Sequence, residues 1–446
     1  MIRRSRGWQP VAVIGIAGLA LAACGGGDEP ATPDAAAPAD SAPADTAEAP
    51  EPSDDASASA PAAGGGEGDG TLSIGTLLPE TGSLAVLGPP EFAGVELAVQ
   101  EINEAGGVLG NDVTKTDGDS GDTTTDIATQ TTNRLLGEGV DAIIGPASSG
   151  VAFTVIDQIT GAGVVHFSPA TTSPDFTDYE DNGLYFRTAP SDVLQGRVMG
   201  ELLVQDGCLE VGLIVLDDPY GTGLAENIQL SLEAGGGALA ADPILFPEGT
   251  SNFSAQVTQI ADSGAECVVI VSLQQSAPPI INEMVAQGVS PVDLPTYLVD
   301  GNLTNFGDTL PPGTLEGNKG TLPGAEAPEE FRARLLEVDP DLKEFSYAAE
   351  SYDAVVVIAL AAIAAGSDSG TAIGAEIPDV TREGTTCETF ADCSALLEGG
   401  EDINYDGVSG PIELSDAGDP TEATIGIYQY DAENNFTRID SLSGTL

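Results

Sequence analysis

The chain has 446 residues, 71 acidic against 13 basic side chains, and a formal net charge of −58. Phosphate backbones and anionic lipid surfaces attract clustered Lys and Arg, so this balance excludes a nucleic-acid binder and peripheral docking on acidic lipid. At 41% hydrophobic the chain can build cores, while one histidine and five cysteines leave little for a His-based active site or a zinc cluster.

Arg3, Arg4 and Arg6 precede an apolar stretch from Val11 to Ala23 that is too short to span a bilayer comfortably. Residues 1–23 therefore read as a signal peptide. The run ends in Leu21-Ala22-Ala23-Cys24, which resembles a bacterial lipoprotein lipobox, with Cys24 as the lipidated first mature residue. After Cys24, the segment 24–70 is almost entirely Ala, Pro, Gly, Ser and acid, with two Thr and without Lys, Arg or an aromatic ring. Such a segment cannot bury enough apolar surface to offset its ordering entropy and reads as a stalk. The expected location is the outer face of the cell membrane, with lipid holding the chain there. The acidity of the remainder is spread evenly, with Lys115, Lys319 and Lys343 its lysines. That pattern suggests a solvated acidic surface whose self-repulsion is screened by dissolved salt.

From residue 71 strand-like and helix-like patterns alternate. Strands are predicted at 72–78, 142–144 and 164–167, with helices through Phe92–Ile102 and Phe153–Ile156. After Arg187 the rhythm restarts, with strands at 211–216, 244–246, 268–271 and 297–299 separated by helices. Strands alternating with helices imply parallel sheets covered on both faces, and two such runs imply two α/β lobes. Helices at 331–338 and 347–365 lack strands of their own and should return to cover an existing lobe. With Cys24 lipidated, Cys208, Cys267, Cys387 and Cys393 form an even set in an exported chain. Cys208 and Cys267 precede the first and third strands of the second lobe, which doubly wound topology tends to place side by side, so they are expected to bond. Cys387 and Cys393 are the companion pair.

Ligands of open α/β sheets gather outside the carboxyl ends of strands. Three polar clusters lie at such ends. Ser148-Ser149-Gly150 can offer helix N–H groups and hydroxyls to an anion, and also reads as a plain helix cap. Pro169 to Pro174 is a stiff, hydroxyl-bearing loop, and Asp300 follows the strand ending at Val299. Together they suggest a pocket for an anion and a cation. His166, inside an apolar strand, reads as a core residue. The dinucleotide fingerprint fails at Glu226 and a calcium loop over Asp117–Ala128 fails at its final position. No nucleophile–base pair supports a hydrolase, so neither an enzyme, a cofactor nor a metal is expected.

Leu78-Pro79-Glu80-Thr81-Gly82, Phe92 to Ala98 and Ile102 to Gly110 resemble the N-terminal lobe of the leucine/isoleucine/valine-binding proteins, the type I solute-binding proteins of ABC importers. Ile143-Ile144-Gly145-Pro146, Ser168 to Thr172, Asp217 to Gly221 and Glu350 to Ala354 extend the likeness over nearly everything from Thr71 onward. The resemblance implies a two-lobed Venus-flytrap fold, each lobe a parallel doubly wound sheet, with three hinge crossings. These are expected near Thr188, Thr321 and Asp406, giving lobes 71–188 plus 322–405 and 189–321 plus 406–446. It further implies that Ser149 and Thr172 hold a ligand carboxylate, that the Ala170 carbonyl and Asp300 hold its ammonium, and that Tyr220 and Tyr347 close over it. Leu87 and Leu273 stand where branched-chain binders often carry a ring, which favours an apolar ligand side chain. The implied partners are an amino acid and ABC permease subunits, with the receptor a monomer. A flytrap sensor, or a binder of an amide or urea-like solute, is the alternative.

Overall fold

The computed structural model describes residues 68–445; the expectations for the signal peptide, for Cys24 and for nearly all of the stalk lie outside the described residues. The first sheet opens with β1 (Ser73–Thr76), helix α1 (Gly88–Glu104), β2 (Thr114–Thr116) and α2 (Ile127–Glu138). It continues through β3 (Ala142–Ile144), α3 (Ser149–Gly161), β4 (Val165–Ser168) and β5 (Tyr185–Arg187). The strand order is β2-β1-β3-β4-β5, parallel throughout. Apart from the edge strand β2, which is Thr114-Lys115-Thr116 and not buried, these strands are short runs largely buried on both faces, as helix-covered parallel sheets require. His166 is fully buried with its ring edge-on to Tyr185, and burial pushes its pKa down to about 3. It is a neutral core residue.

The second run begins with α4 (Asp192–Gln205), β6 (Glu210–Leu216), α5 (Pro219–Ala234), β7 (Ala238–Leu239) and β8 (Ile244–Phe246). It goes on through α6 (Ser254–Ser263), β9 (Cys267–Val271), α7 (Ala277–Gln287), β10 (Thr296–Leu298) and β11 (Lys319–Pro323). The chain then adds α8 (Glu329–Val338), α9 (Ala348–Ala365), α10 (Gly370–Glu376), β12 (Thr385–Cys387) and α11 (Phe390–Glu398). It ends with β13 (Ile403–Gly407), β14 (Gly410–Pro411), β15 (Glu422–Tyr430) and β16 (Phe436–Thr445). The second sheet runs β16-β15-β11-β10-β9-β6-β7, with β8 also on β6.

Three sequence expectations need correction. The second sheet is mixed, because β15 joins β11 antiparallel and β16 folds back on β15 as a hairpin. The crossing expected near Thr321 comes two residues later, because Thr321 still lies inside β11 and the chain leaves that sheet after Pro323. The last crossing is downstream of Asp406. Strands β12, β13 and β14 form a small sheet, and Ile403, Tyr405, Ile412 and Leu414 pack into the same core as α1 and α9. Asp353 of α9 fixes that turn by accepting from Tyr405 Oη at 2.7 Å, Val408 N at 3.0 Å and Ser409 N at 2.7 Å. The passage to β15 therefore falls between Leu414 and Glu422. Thr188, just past β5, does sit at a crossing, and its hydroxyl donates to the Glu350 carbonyl oxygen at 3.0 Å.

Helix α9 is apolar on nearly every face because it is buried on nearly every face. It lies close against α1: a Cβ on Gly94 would run into the Ala348 carbonyl oxygen, so glycine alone permits that approach. The structure joins Cys208 to Cys267, with Cα atoms 6.2 Å apart across 59 positions, and Cys387 to Cys393. The longer link restricts a loop worth on the order of 4 kcal/mol in the chain-entropy model.

Near the crossings, Glu91 of α1 is fully buried with neither carboxyl oxygen hydrogen-bonded, and burial followed by the nearby Glu350 pushes its pKa well up. Glu350 itself is pushed up to about 8 by burial. An acid whose pKa is higher folded than unfolded adds no penalty below its unfolded value of 4.5, and its full penalty appears above about 8. The melting temperature, read at constant ionic strength, should therefore fall between about pH 5 and pH 8. Glu350→Gln should fall less steeply; a variant with the wild-type slope would remove Glu350 as a cause.

Candidate functional site

Loops from the carboxyl ends of β1, β3 and β4 on one side, and of β6, β9 and β10 on the other, meet in an interlobe cavity. The cavity is narrow in this structure, with a volume of about 20 Å³. A space of that size has room for about one water molecule. All nine residues singled out from the sequence line it: Leu87, Ser148, Ser149, Ala170, Thr172, Tyr220, Leu273, Asp300 and Tyr347. Leu84, Ala147 and Gly301 complete the wall. Leu84 and Gly301 lie three and one positions from residues already chosen, so the same loops pointed to them.

The first lobe contributes hydroxyls. Ser148 caps α3, its oxygen accepting from Val151 N at 3.4 Å. Ser149, in the first turn, accepts at Oγ from Thr172 N at 3.3 Å and Ser173 N at 3.2 Å. A hydroxyl has two acceptor positions and one proton, so Ser149 keeps its proton to donate elsewhere. Ser148 therefore acts as the cap, and Ser149 ties helix and loop together.

That loop is held from beneath by Arg187, which is fully buried at the end of β5. Its Nη1 donates to the Ser173 carbonyl oxygen at 2.8 Å, and its Nε donates to Asp419 at 2.6 Å. Asp419 belongs to the last crossing, and it also accepts from Thr177 Oγ1 at 2.6 Å. Phe176 stacks on Tyr185 with centroids 4.6 Å apart, completing the platform. Nothing in the spacing of Arg187 revealed this role.

The second lobe contributes an anion. Asp300 is buried, and its Oδ1 accepts from Tyr220 Oη at 2.8 Å and Gln195 Nε2 at 3.1 Å. Its Oδ2 accepts from Tyr347 Oη at 3.0 Å. Gln195 also donates to Thr321 Oγ1 at 3.1 Å, so the strand that leads into this crossing also helps fix the site. Burial raises the Asp300 pKa above the usual carboxylate range, while these donors pull it back. Burial, then the Asp300 charge, pushes both tyrosines well up, so they remain neutral donors. Asp300 makes no ion pair with any described residue. Behind it, Asp192 is fully buried at the start of α4, and burial and the Asp300 charge push its pKa well up. Burial and that charge favour the neutral form of Asp192.

Tyr347 reaches Asp300 from the residue before α9, in a left-handed conformation at φ 61°. A bulky side chain in that region carries strain that the surrounding packing must over-determine.

Two α/β lobes joined by three crossings around an enclosed, small cavity define a type I solute-binding protein. Residues 71–435 match the family model described as periplasmic binding protein, and the chain belongs to that family. It is 30% identical over 311 residues to a Leu/Ile/Val-binding protein homolog 1 of Brucella suis, covering 66% of this chain and 79% of that one. Its fold is similar to that of the leucine-binding protein LivK of Thermotoga maritima, with TM-score 0.68 and 21% identity over 83% of this chain and 99% of the other. It is also similar to LivJ of Streptococcus pneumoniae in complex with isoleucine, with TM-score 0.66 and 22% identity over 84% and 100%.

Replacing Arg187 by Met should leave Asp419 buried without its cation. Breaking one side of a buried pair costs about 3–5 kcal/mol, and urea unfolding of Arg187→Met should show that loss. An unchanged unfolding midpoint would mean that the platform does not depend on the pair.

Proposed function

We propose that the chain captures an aliphatic amino acid, branched-chain members first, outside the cell membrane and delivers it to the permease of an ABC importer. Residue Asp300 carries this reading. A carboxylate placed in a dry cleft with three neutral donors and no cation of its own is suited to an ammonium brought by the ligand. Ser149 and Thr172 are the donors for the ligand carboxylate in this reading, and the Ala170 carbonyl, on the same loop as Thr172, is a second acceptor for the ammonium. Leu84, Leu87 and Leu273 supply an apolar wall, where each Å² of buried apolar surface contributes roughly 25 cal/mol. Tyr220 and Tyr347 close the space while orienting Asp300. Catalysis has no part in this reading, and a lipid on Cys24 would hold the receptor near its permease.

Asp300→Ala should weaken leucine binding by about 2–5 kcal/mol, or roughly 30- to 3,000-fold in Kd, in calorimetry. An unchanged Kd would end the amino-acid assignment. A ligand ammonium also holds the carboxylate ionised, so affinity should decline as pH falls through the raised Asp300 pKa. Near that pH, binding enthalpies in two buffers of different ionisation enthalpy should differ by the proton released. Identical enthalpies across the whole acidic range would contradict a titrating Asp300. Delivery is tested separately by labelled leucine uptake in cells lacking the chain.

A further inference from the structure

Ten of the thirteen basic residues are among the described ones. Seven of them pair with carboxylates. In a chain so rich in acids, a cation without a carboxylate partner is unexpected, and three are found: Arg197, Lys343 and Arg438. Lys343 and Arg438 line one cavity. It shares Tyr347 with the interlobe cavity and has a volume of about 470 Å³.

This cavity bridges the crossings. Leu322 of β11, Tyr428 of β15 and Phe436 and Arg438 of β16 come from the second sheet, and Arg332 of α8, Lys343 and Phe345 come from the first lobe. Arg438 makes one long hydrogen bond, from Nε to the Asp440 carbonyl oxygen at 3.4 Å. Arg332 donates from Nη2 to Glu326 at 2.8 Å and lies 5.5 Å over the Phe345 ring, yet its buried Nε has no acceptor. The acids of the wall form no ion pair with Lys343 or Arg438. Glu326 is taken by Arg332, Glu344 is turned to Phe345 N at 3.3 Å and Ser346 Oγ at 3.4 Å, and Glu350 is pushed up to about 8 by burial. Aromatic faces beside unspent cations suit a flat apolar body with a charged end.

We propose that this hinge-side cavity is a second ligand site that takes a small anion with a flat apolar body, for which an aromatic monocarboxylate is the simplest form. Lys343 and Arg438 would hold the anionic group, and Phe345, Tyr428 and Phe436 would hold the body. An occupant would touch both lobes and the segment that carries Tyr347. The proposal does not rest on the amino-acid reading of the interlobe cavity.

Benzoate is the probe, titrated by calorimetry into the mature chain and followed by hydrogen-exchange mass spectrometry. Protection is expected in peptides covering residues 343–350 and 428–438. Lys343→Gln combined with Arg438→Gln should weaken benzoate about tenfold or more, since each loses a charge-assisted hydrogen bond. Both side chains are at least partly exposed, so the variant should fold. Ser149→Ala, in the interlobe cavity, should keep benzoate affinity within about twofold. Undiminished binding to the double variant, or protection confined to peptides around Tyr220 and Asp300, would overturn the site. Sulfate should bind more weakly because it leaves the rings uncovered; sulfate matching benzoate would overturn the ligand class.

Discussion

A buried carboxyl group with no cation partner among the described residues, Asp300, sets the conditions that the rest of this molecule meets. Asp300 stays in place because two tyrosine hydroxyls and a glutamine amide donate to it. Those three donors come from the first turn of α5, the residue before α9 and the body of α4. Three separate elements must therefore converge on the end of β10. Packing and the left-handed backbone of Tyr347 are consequences of that convergence. The buried neighbour Asp192 shows the other side of the constraint: burial beside an existing negative charge favours its protonated form.

The first lobe solves a complementary problem with neutral groups. Ser149 spends both lone pairs on the Thr172 and Ser173 amides, so one hydroxyl fixes the loop and still offers a proton. Arg187 carries the loop from below and reaches Asp419 in the last crossing. The last crossing is thus joined by a buried ion pair to the loop proposed to hold a carboxylate. Geometry at the site and geometry at the hinge are set by the same side chain.

Much of this was legible in the residues. Short apolar runs such as 142–144 and 268–271 announce buried parallel strands, and polar residues just past them announce a site. Other features depend on tertiary contacts that no local pattern carries. Residues 403–414 alternate in a way that fits either lobe, and Asp353, some fifty positions earlier, decides which. β16 is a largely exposed strand at the sheet edge, so it lacks the dense apolar signal of the parallel strands. Gln195 looks like any polar residue on a helix, and its part in the site exists because α4 passes beside β10 and β11. Helix α9 begins one residue later than its apolar pattern suggests, because Tyr347 leaves helical geometry to reach Asp300.

The Cys208–Cys267 bond lies at the amino-terminal ends of β6 and β9, opposite the ends that deliver Tyr220 and Leu273. Covalent reinforcement and recognition therefore occupy different poles of one sheet. Substitutions in the recognition loops leave the reinforced pole untouched, so such a lobe can absorb changes in what it binds without losing its frame. In mechanical terms one pole of the sheet is clamped, and the loops at the other pole carry the cavity wall.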